Sequence, residues 1–252
     1  MPEAYREFYY PLNVFMHILT REEGGVAYLH YGLFDRADEA IGEAQEHSTD
    51  LVLARLPAPP ARILDVGVGV GTTLSRLASM HYDVTGITPD SKQAAMVKSR
   101  FGDAARVELT PFETISPSSA YDCVVFQESS QYIDSEALFA RARQITPHVI
   151  VLDEFATQPV DAPGALHSLN RFLDAAAHNR FRKTEEIDLS ARAAPTIDYF
   201  RQRIPRYRQA LIEDLGVTSQ QVDELIASGE RYRDLYAAGT YVYRLLQFRH
   251  DS

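Results

Sequence analysis

Three glycines alternate with valines in residues 64–72, and Asp65 stands two positions before the first of them. These glycines are Gly67, Gly69 and Gly71. The stretch follows a short apolar run and precedes a segment with the composition of a helix. Because glycine permits positive φ and carries no side chain, such a loop lets a ligand approach the backbone closely. The pattern predicts a nucleotide-like ligand at the carboxyl end of a strand in an open α/β sheet.

The spacing of this loop separates two classes of cofactor. A dinucleotide site has the pattern Gly-x-Gly-x-x-Gly, with an acidic residue about 20 positions further on. Here Thr72 occupies the place of the third glycine, and Thr88 ends the next predicted strand where that acidic residue would be. An aspartate just ahead of the loop suits a ligand that has a cationic ammonium group and no pyrophosphate, and S-adenosylmethionine is such a ligand. The alternative is a tight turn without a ligand, which alternating glycines would weaken entropically.

Several motifs around the loop resemble those of one enzyme class. Residues 63–72 resemble motif I of the class I S-adenosylmethionine-dependent methyltransferases. Residues 83–88, followed by Gln93, resemble the second-strand motif of the small-molecule branch, which includes tocopherol, sarcosine and sugar methyltransferases and the cyclopropane fatty acid synthases. Residues 121–125 resemble the fourth-strand motif, and residues 30–34 resemble the "HYG" turn that closes over the cofactor.

The resemblance implies which residues hold the cofactor. Gly67 and Gly69 would line its methionine portion, and Asp65 would hold the amino group through a backbone or water bridge. Thr88 and Gln93 would face the ribose. Many relatives have an acidic residue in place of Thr88, so strong charge-assisted hydrogen bonds are absent here.

The remaining cofactor contacts are implied for the adenine and for the methionine end. We expect Phe112 to pack against adenine and Gln127, just past the fourth strand, to border the methionine end. The complete implied set is Tyr31, Asp65, Gly67, Gly69, Gly71, Thr88, Gln93, Phe112 and Gln127.

Candidate catalytic residues follow from the reaction that this cofactor supports. Methyl transfer from a sulfonium is an in-line displacement, for which a protein supplies alignment, water exclusion and, where needed, a base. Glu128 and Tyr132 follow the fourth predicted strand, and His30 lies in the proposed closing turn. Each also has a structural interpretation: a helix start for Glu128, packing for Tyr132 and a local hydrogen bond for His30. Because Cys123 is the single cysteine and no His-Glu spacing motif is present, we predict no metal site.

A basic stretch stands out against the acidic background. Residues 171–208 contain nine Lys or Arg against five Asp or Glu. One hypothesis is that the acceptor is anionic and bound by some of four arginines. The four are Arg201, Arg203, Arg206 and Arg208. The spacing favours the alternative of a solvated face, because these positions are distributed around a helix.

Alternating strands and helices must position these residues. After the proline-rich residues 57–60, short runs rich in Val and Ile alternate with helical segments, which predicts a parallel sheet covered on both faces. The predicted strands are residues 62–66, 83–88, 106–109, 123–126, 149–152, 182–189 and 241–248. The predicted helices are residues 38–56, 72–80, 91–100, 135–144, 166–178, 199–215 and 219–232.

The resemblance adds a topology and a domain organisation. It implies a Rossmann-like α/β fold whose seven-stranded, mostly parallel sheet has the order 3-2-1-4-5-7-6, with the last strand antiparallel. We expect a single methyltransferase domain over residues 1–252. Its parts would be a helical N-terminal cap (3–55), a cofactor-binding core (61–155), a helical insert over the acceptor (156–235) and a final strand (239–249).

Composition excludes several classes of protein. The chain has 252 residues, a formal net charge of −10 and 45% hydrophobic residues, so it can bury a large core. A single cysteine excludes an intrachain disulfide framework. The negative charge argues against a nucleic-acid partner, and no apolar run of 18 residues predicts a membrane span. A cytoplasmic location is the expectation.

The expected function is transfer of a methyl group from S-adenosylmethionine to a small organic acceptor in secondary or specialised metabolism. Oxygen is the first choice of attacked atom, carbon the second and nitrogen the third. One alternative is an S-adenosylmethionine-binding enzyme of the same fold with other chemistry, such as a cyclase or an isomerase. Another is a non-catalytic ligand-binding subunit. The oligomeric state is left open, with a homodimer as one option.

Overall fold

The structure, a computed structural model, describes residues 5–36, 38–118, 120–160 and 166–250. Within these residues the strands form one seven-stranded sheet of order β3-β2-β1-β4-β5-β7-β6. The strands are β1 (Arg62–Val66), β2 (Asp83–Thr88), β3 (Val107–Leu109), β4 (Cys123–Gln127), β5 (His148–Ala156), β6 (Arg182–Asp188) and β7 (Tyr241–Arg249). The predicted sheet order and fold class are thereby confirmed.

Strand pairing aligns the carboxyl ends of the central strands. β3, β2, β1, β4 and β5 run parallel, whereas β7 is antiparallel to β5 and β6. Val66, the last residue of β1, lies opposite Ile87 of β2 and Phe126 of β4. The β1 glycine loop and the segments that follow β2 and β4 therefore leave the sheet at the same edge.

Helices separate most of the strands. They are α1 (Leu12–Glu23), α2 (Ile41–Leu53), α3 (Thr72–Ser79), α4 (Ser91–Phe101), α5 (Ser135–Ile145), α6 (Leu169–His178), α7 (Ser190–Arg206), α8 (Arg208–Leu215) and α9 (Ser219–Ala237). α7 begins nine residues before its predicted start and contains Pro195 and Pro205. Burial of apolar side chains along α7, such as Ala193 and Ile204, offsets the low helix propensity of proline.

The chain divides into two compact units, each with its own apolar core. The helical unit comprises residues 1–48 and 191–239, and its core joins side chains of α1, α2, α7, α8 and α9. The sheet unit comprises residues 49–190 and 240–252, and its core joins the strands to α5 and α6. α6 and β6 belong to the sheet unit, although both fall within the predicted insert.

The predicted cap, core and insert stay predictions. Residues 3, 4 and 37 of the cap, 119 of the core and 161–165 of the insert lie outside the described residues. Across the part of the chain that the structure describes, no helix has the length and the apolar character needed to cross a membrane.

Candidate cofactor and active site

The glycine loop follows β1 with all three glycines at positive φ. The φ angles are +79° at Gly67, +53° at Gly69 and +84° at Gly71. The amide of Gly67 donates to Ile87 O at 2.9 Å, which ties the start of the loop to β2. Gly71 donates to Val68 O at 2.8 Å and immediately precedes α3. The loop is therefore a turn that reverses direction through conformations open mainly to glycine.

Two of these glycines are also required by close packing. A Cβ added at Gly67 would lie 2.5 Å from Ser129 Cβ, and one added at Gly71 would lie 2.8 Å from Val97 Cγ2. Ser129 follows β4, and its hydroxyl donates to Val66 O at 2.5 Å. The loops after β1 and β4 are thus held in direct contact, and neither Gly67 nor Gly71 has room for a side chain.

Asp65 is a buried carboxyl without a matching cation. Its side chain is 3% exposed, and Oδ2 has no hydrogen-bond partner among the described residues. Burial disfavours the charged form and raises the pKa of Asp65 to about 7. A buried acceptor of this kind fits a ligand that brings its own positive charge, as the ammonium group of S-adenosylmethionine does. The residues around the glycine loop therefore fit the predicted cofactor.

The end of β2 carries the two residues that the resemblance assigns to the ribose. Thr88 is buried, and its hydroxyl donates to Gln93 Oε1 at 3.0 Å while it accepts the amide of Asp90 at 3.1 Å. Asp90 caps α4 by accepting the amides of Lys92 and Gln93. Because the side-chain oxygen of Gln93 accepts the Thr88 hydroxyl, Gln93 would donate to a ribose hydroxyl through its side-chain nitrogen.

The structure changes the expectation for adenine. Phe112 is 2% exposed and packs edge to face on Phe126, with 5.1 Å between ring centroids. The ring is enclosed in the sheet-unit core, so this burial does not favour the expected packing of Phe112 against adenine, which stays a prediction. Leu109 is 59% exposed at the end of β3, directly opposite Thr88. Leu109 was not among the residues predicted for the site.

Gln127 ends β4 and is nearly buried. Its Oε1 accepts the Thr73 hydroxyl at 3.3 Å, and its Nε2 contacts Thr49 Oγ1 at 3.5 Å. The amide group therefore lies between the first turn of α3 and the end of α2, beside the glycine loop.

Two predicted catalytic residues follow Gln127. Glu128 is half-buried, and its main chain has a φ of +54°, which is uncommon for a side chain of this size. The hydroxyl of Tyr243, from β7, donates to Glu128 Oε1 at 2.5 Å. Tyr132 ends a short 3₁₀ turn and is 77% exposed. Glu128 does not start a helix, because α5 begins at Ser135 and is capped by Asp134.

The loop after β4 is fixed by side chains from its neighbours. Asp153 of β5 accepts both the amide and the hydroxyl of Ser130, at 3.0 and 2.6 Å. Burial raises the pKa of Asp153 to about 6, although the Ser130 bonds oppose the shift. The Nε2 of His167 lies 3.1 Å from Ser130 O and 3.0 Å from Ile133 O.

His30 and Tyr31 belong to the helical unit. His30 is buried; its Nδ1 lies 2.9 Å from Tyr31 O, and its carbonyl accepts the Gln45 amide at 2.7 Å. Burial lowers the pKa of His30 to about 4, so the ring is neutral near pH 7. The following Gly32 donates to Thr196 Oγ1 at 3.0 Å, and this contact anchors the turn to α7.

The four arginines of the basic stretch all meet carboxylates inside the helical unit. Arg203 and Arg206 contact Glu22 at 3.0 and 3.3 Å. Arg201 contacts Asp198 and Glu230, and Arg208 contacts Asp223. The face is neither a cluster of uncompensated cations nor merely solvated, and it gives the hypothesis of an anionic acceptor no support.

The contacts that hold the site in place were not predicted from the sequence. Tyr243 was not predicted as a site residue, and the roles of Ser129, Asp153 and His167 in fixing the loops are known only from their contacts. The alternation of β7 could have marked Tyr243 as inward-facing, but the partner of its hydroxyl depends on strand order. His167 lies before α6 rather than within the predicted helix.

Residues 27–137 match the family described as mycolic acid cyclopropane synthetase. The chain is also 25% identical, over 226 residues, to (+)-O-methylkolavelool synthase of Herpetosiphon aurantiacus. This alignment covers 77% of the present chain and 80% of the relative.

Two solved structures illustrate the range of proteins with this fold. The mycolic acid cyclopropane synthase CmaA1, complexed with SAH and CTAB, is similar with a TM-score of 0.79 and 19% identity, over 98% of each chain. The [4+2]-cyclase SpnF is similar with a TM-score of 0.77 and 19% identity, over 92% of each chain.

Sheet order and these solved structures agree on one fold, the class I methyltransferase fold that the motifs indicated. The family match covers the part of the chain that contains the glycine loop, β1 to β4 and the start of α5.

Proposed function

We propose that the protein transfers a methyl group from S-adenosylmethionine to an oxygen atom of a small organic acceptor in specialised metabolism. The observation that carries the proposal is Asp65, a buried carboxyl without a partner on Oδ2, next to a loop of three glycines at positive φ. When bound, the cofactor supplies an electrophilic methyl group on its sulfonium.

The chain's own residues divide the binding of the cofactor among them. Asp65 accepts the ammonium group, directly or through one water, and the loop glycines let the methionine portion lie against the main chain. Gln93, oriented by Thr88, donates to a ribose hydroxyl. Leu109 offers an exposed apolar surface for adenine beside it.

In the sheet unit, we assign to Glu128 the role of general base for the acceptor. Its carboxylate follows β4 at the same edge as the glycine loop, and a fixed carboxylate can accept the proton that an attacking hydroxyl releases. Proton transfer of this kind contributes about 10²–10⁴-fold to a rate. His30 is neutral and bonded within its own turn, and Tyr132 is exposed, so both are secondary candidates in our proposal.

The choice of oxygen rests on the curated relative. Its name is that of a synthase of an O-methyl compound, and it aligns over most of both chains. The aligned length supports a similar acceptor type, a molecule that carries a hydroxyl group. Carbon is our second choice, because the matched family is named for cyclopropane formation.

The test is a search for acceptors with isotope-labelled cofactor. The purified protein is incubated with S-adenosyl-[methyl-D₃]methionine and kolavelool, an unsaturated acyl lipid or sarcosine, and SAH and trideuteromethyl products are measured by mass spectrometry. We expect SAH formation that depends on the hydroxyl compound and is reduced by Glu128→Gln. Transfer to the lipid or to sarcosine alone would replace oxygen by carbon or nitrogen.

The similarity to SpnF favours one second candidate, a cyclisation by an enzyme that retains the fold. That reaction would change the acceptor without forming SAH. Product formation at a constant cofactor concentration would therefore identify a cyclase. Absence of cofactor binding in calorimetry would instead favour a non-catalytic ligand-binding subunit.

A further inference from the structure

The Glu128 carboxylate, which we assign to the acceptor, is bonded to Tyr243, a residue that lies two strands away in the sheet. Tyr243 lies on β7, which pairs with β5, and β5 in turn pairs with β4. Its side chain is fully buried, and its hydroxyl reaches Glu128 Oε1 at 2.5 Å. A buried tyrosine ring has few alternative rotamers, so the position of its hydroxyl is well defined.

The main chain of both residues is also fixed. The amide of Glu128 donates to Leu152 O at 2.9 Å, and the residue keeps a φ of +54°. The amide of Tyr243 donates to Ser190 Oγ at 3.0 Å, and its carbonyl accepts the amide of Leu189 at 2.9 Å. Strained backbone of this kind persists where the surroundings determine it, and it is common at functional sites.

We propose that Tyr243 is a positioning residue, which orients the Glu128 carboxylate toward the acceptor through its hydroxyl. The inference rests on the proposed function, because it assumes that Glu128 acts on the acceptor. A carboxylate with one oxygen bonded to a rigid phenol presents the other oxygen in a defined direction. Loss of the hydroxyl removes this contact from Oε1, and a misplacement of about 1 Å can reduce a rate by about 10²-fold.

The experiment compares Tyr243→Phe with Tyr82→Phe. Tyr82 is a matched control, because its hydroxyl donates to Pro57 O at 3.0 Å at the start of β2, within the same unit. For Tyr243→Phe we expect kcat to fall about 10–100-fold, while KM for the acceptor and Kd for SAH stay within about twofold. Tyr82→Phe should retain the wild-type kcat and lose a similar amount of thermal stability.

A double-mutant cycle separates positioning from a general structural effect. If Tyr243 acts through Glu128, Tyr243→Phe should reduce kcat no further once Glu128 is Gln. Independent, multiplying losses would overturn the proposal, as would a wild-type kcat in Tyr243→Phe. A rise in Kd for SAH as large as the fall in kcat would also contradict it, because the whole site would then be disturbed.

A second measurement does not need an acceptor. In protein labelled with [¹³C-δ]glutamate and saturated with SAH, the Glu128 signal is assigned by its loss in Glu128→Gln. We expect Tyr243→Phe to shift this signal and Tyr82→Phe to leave it unchanged. An unchanged signal in Tyr243→Phe overturns the inference, whereas a shifted signal in an enzyme that methylates no acceptor contradicts only the proposed function.

Discussion

Charged side chains are paired with opposite charges at the arginines of the helical unit, whereas a buried carboxyl stays unpaired, among the residues that the structure describes, at the glycine-loop edge of the sheet unit. In the helical unit, Arg203 lies against Glu22 and stacks on the Tyr199 ring, 3.6 Å from its centroid. At the sheet edge, Asp65 is buried with no partner on Oδ2 in the described part of the chain, whereas the buried Asp153 accepts two hydrogen bonds from Ser130; burial raises the pKa of both carboxyls.

The difference shows which charges stabilise the fold and which await a ligand. A matched pair satisfies both groups and contributes to the packing of helices. An unmatched buried carboxyl destabilises the folded protein and persists where a ligand supplies the missing partner. The positive charge of residues 171–208 suggested the arginines as a binding surface. The arginines are paired with carboxylates, however, and the unpaired charged group among the described site residues is Asp65.

The largest expected effect concerns the loop that makes this edge accessible. Gly67→Ala combines strain at positive φ with a Cβ contact of 2.5 Å to Ser129. We expect a loss of about 2–5 kcal/mol in the free energy of unfolding, measured by urea denaturation. Gly24→Ala is the control, since Gly24 has a φ of +77° but nothing within 4 Å of an added Cβ, and it should lose only about 1 kcal/mol. Equal losses would show that the contact with Ser129 is not tight.

Substitution of the unmatched carboxyl tests the proposed ammonium site. Asp65→Asn removes the charge but keeps the shape, so Kd for SAH should rise about 10–100-fold, as expected for loss of a hydrogen bond to a charged group. Isothermal calorimetry gives the affinity. Arg206→Ala, in the helical unit, should leave it unchanged, and a wild-type Kd in Asp65→Asn would remove the basis of the comparison.

The pH dependence of SAH binding follows from the pKa of Asp65. In the free folded protein this pKa is raised from 3.8 to about 7, so its contribution to stability is present in acid and is lost as the pH rises from about 4 to 7. A cationic ammonium favours the charged carboxylate, so binding releases a proton. Binding should be weaker at pH 6, with a Kd for SAH about eightfold higher than at pH 7.5. In Asp65→Asn the two values should agree, and a persistent slope would assign the proton to another group.

The smallest expected effects lie in the arginine pairs. Arg203→Ala should lower the free energy of unfolding by about 1–2 kcal/mol, because it removes a half-buried ion pair and a cation–π contact. Arg206 is exposed, and Arg206→Ala should change it by no more than about 0.5 kcal/mol. Once an acceptor is known, each variant should change the turnover of matched charged and neutral acceptors to the same extent. A loss confined to the charged acceptor would restore the anionic-acceptor hypothesis.

Local pattern was sufficient for most of the elements. β1 and β2 occur at their predicted bounds, since short Val- and Ile-rich runs between turns have few other solutions in a parallel sheet. β5 extends four residues beyond its predicted end because β7 pairs with it along its whole length. Pairing with a strand almost 90 residues away leaves no mark on the local sequence.

In the candidate site, too, some features follow from the local sequence and others only from the tertiary packing. The sequence by itself determined the glycine loop and the place of Asp65, because glycine spacing and a neighbouring acidic residue act within one turn of chain. Only the tertiary structure decided that Phe112 is enclosed in the core, that Leu109 is exposed, and that Tyr243 meets Glu128. These outcomes depend on which strands are neighbours and on what remains to satisfy each buried polar atom, and those are properties of the packed chain.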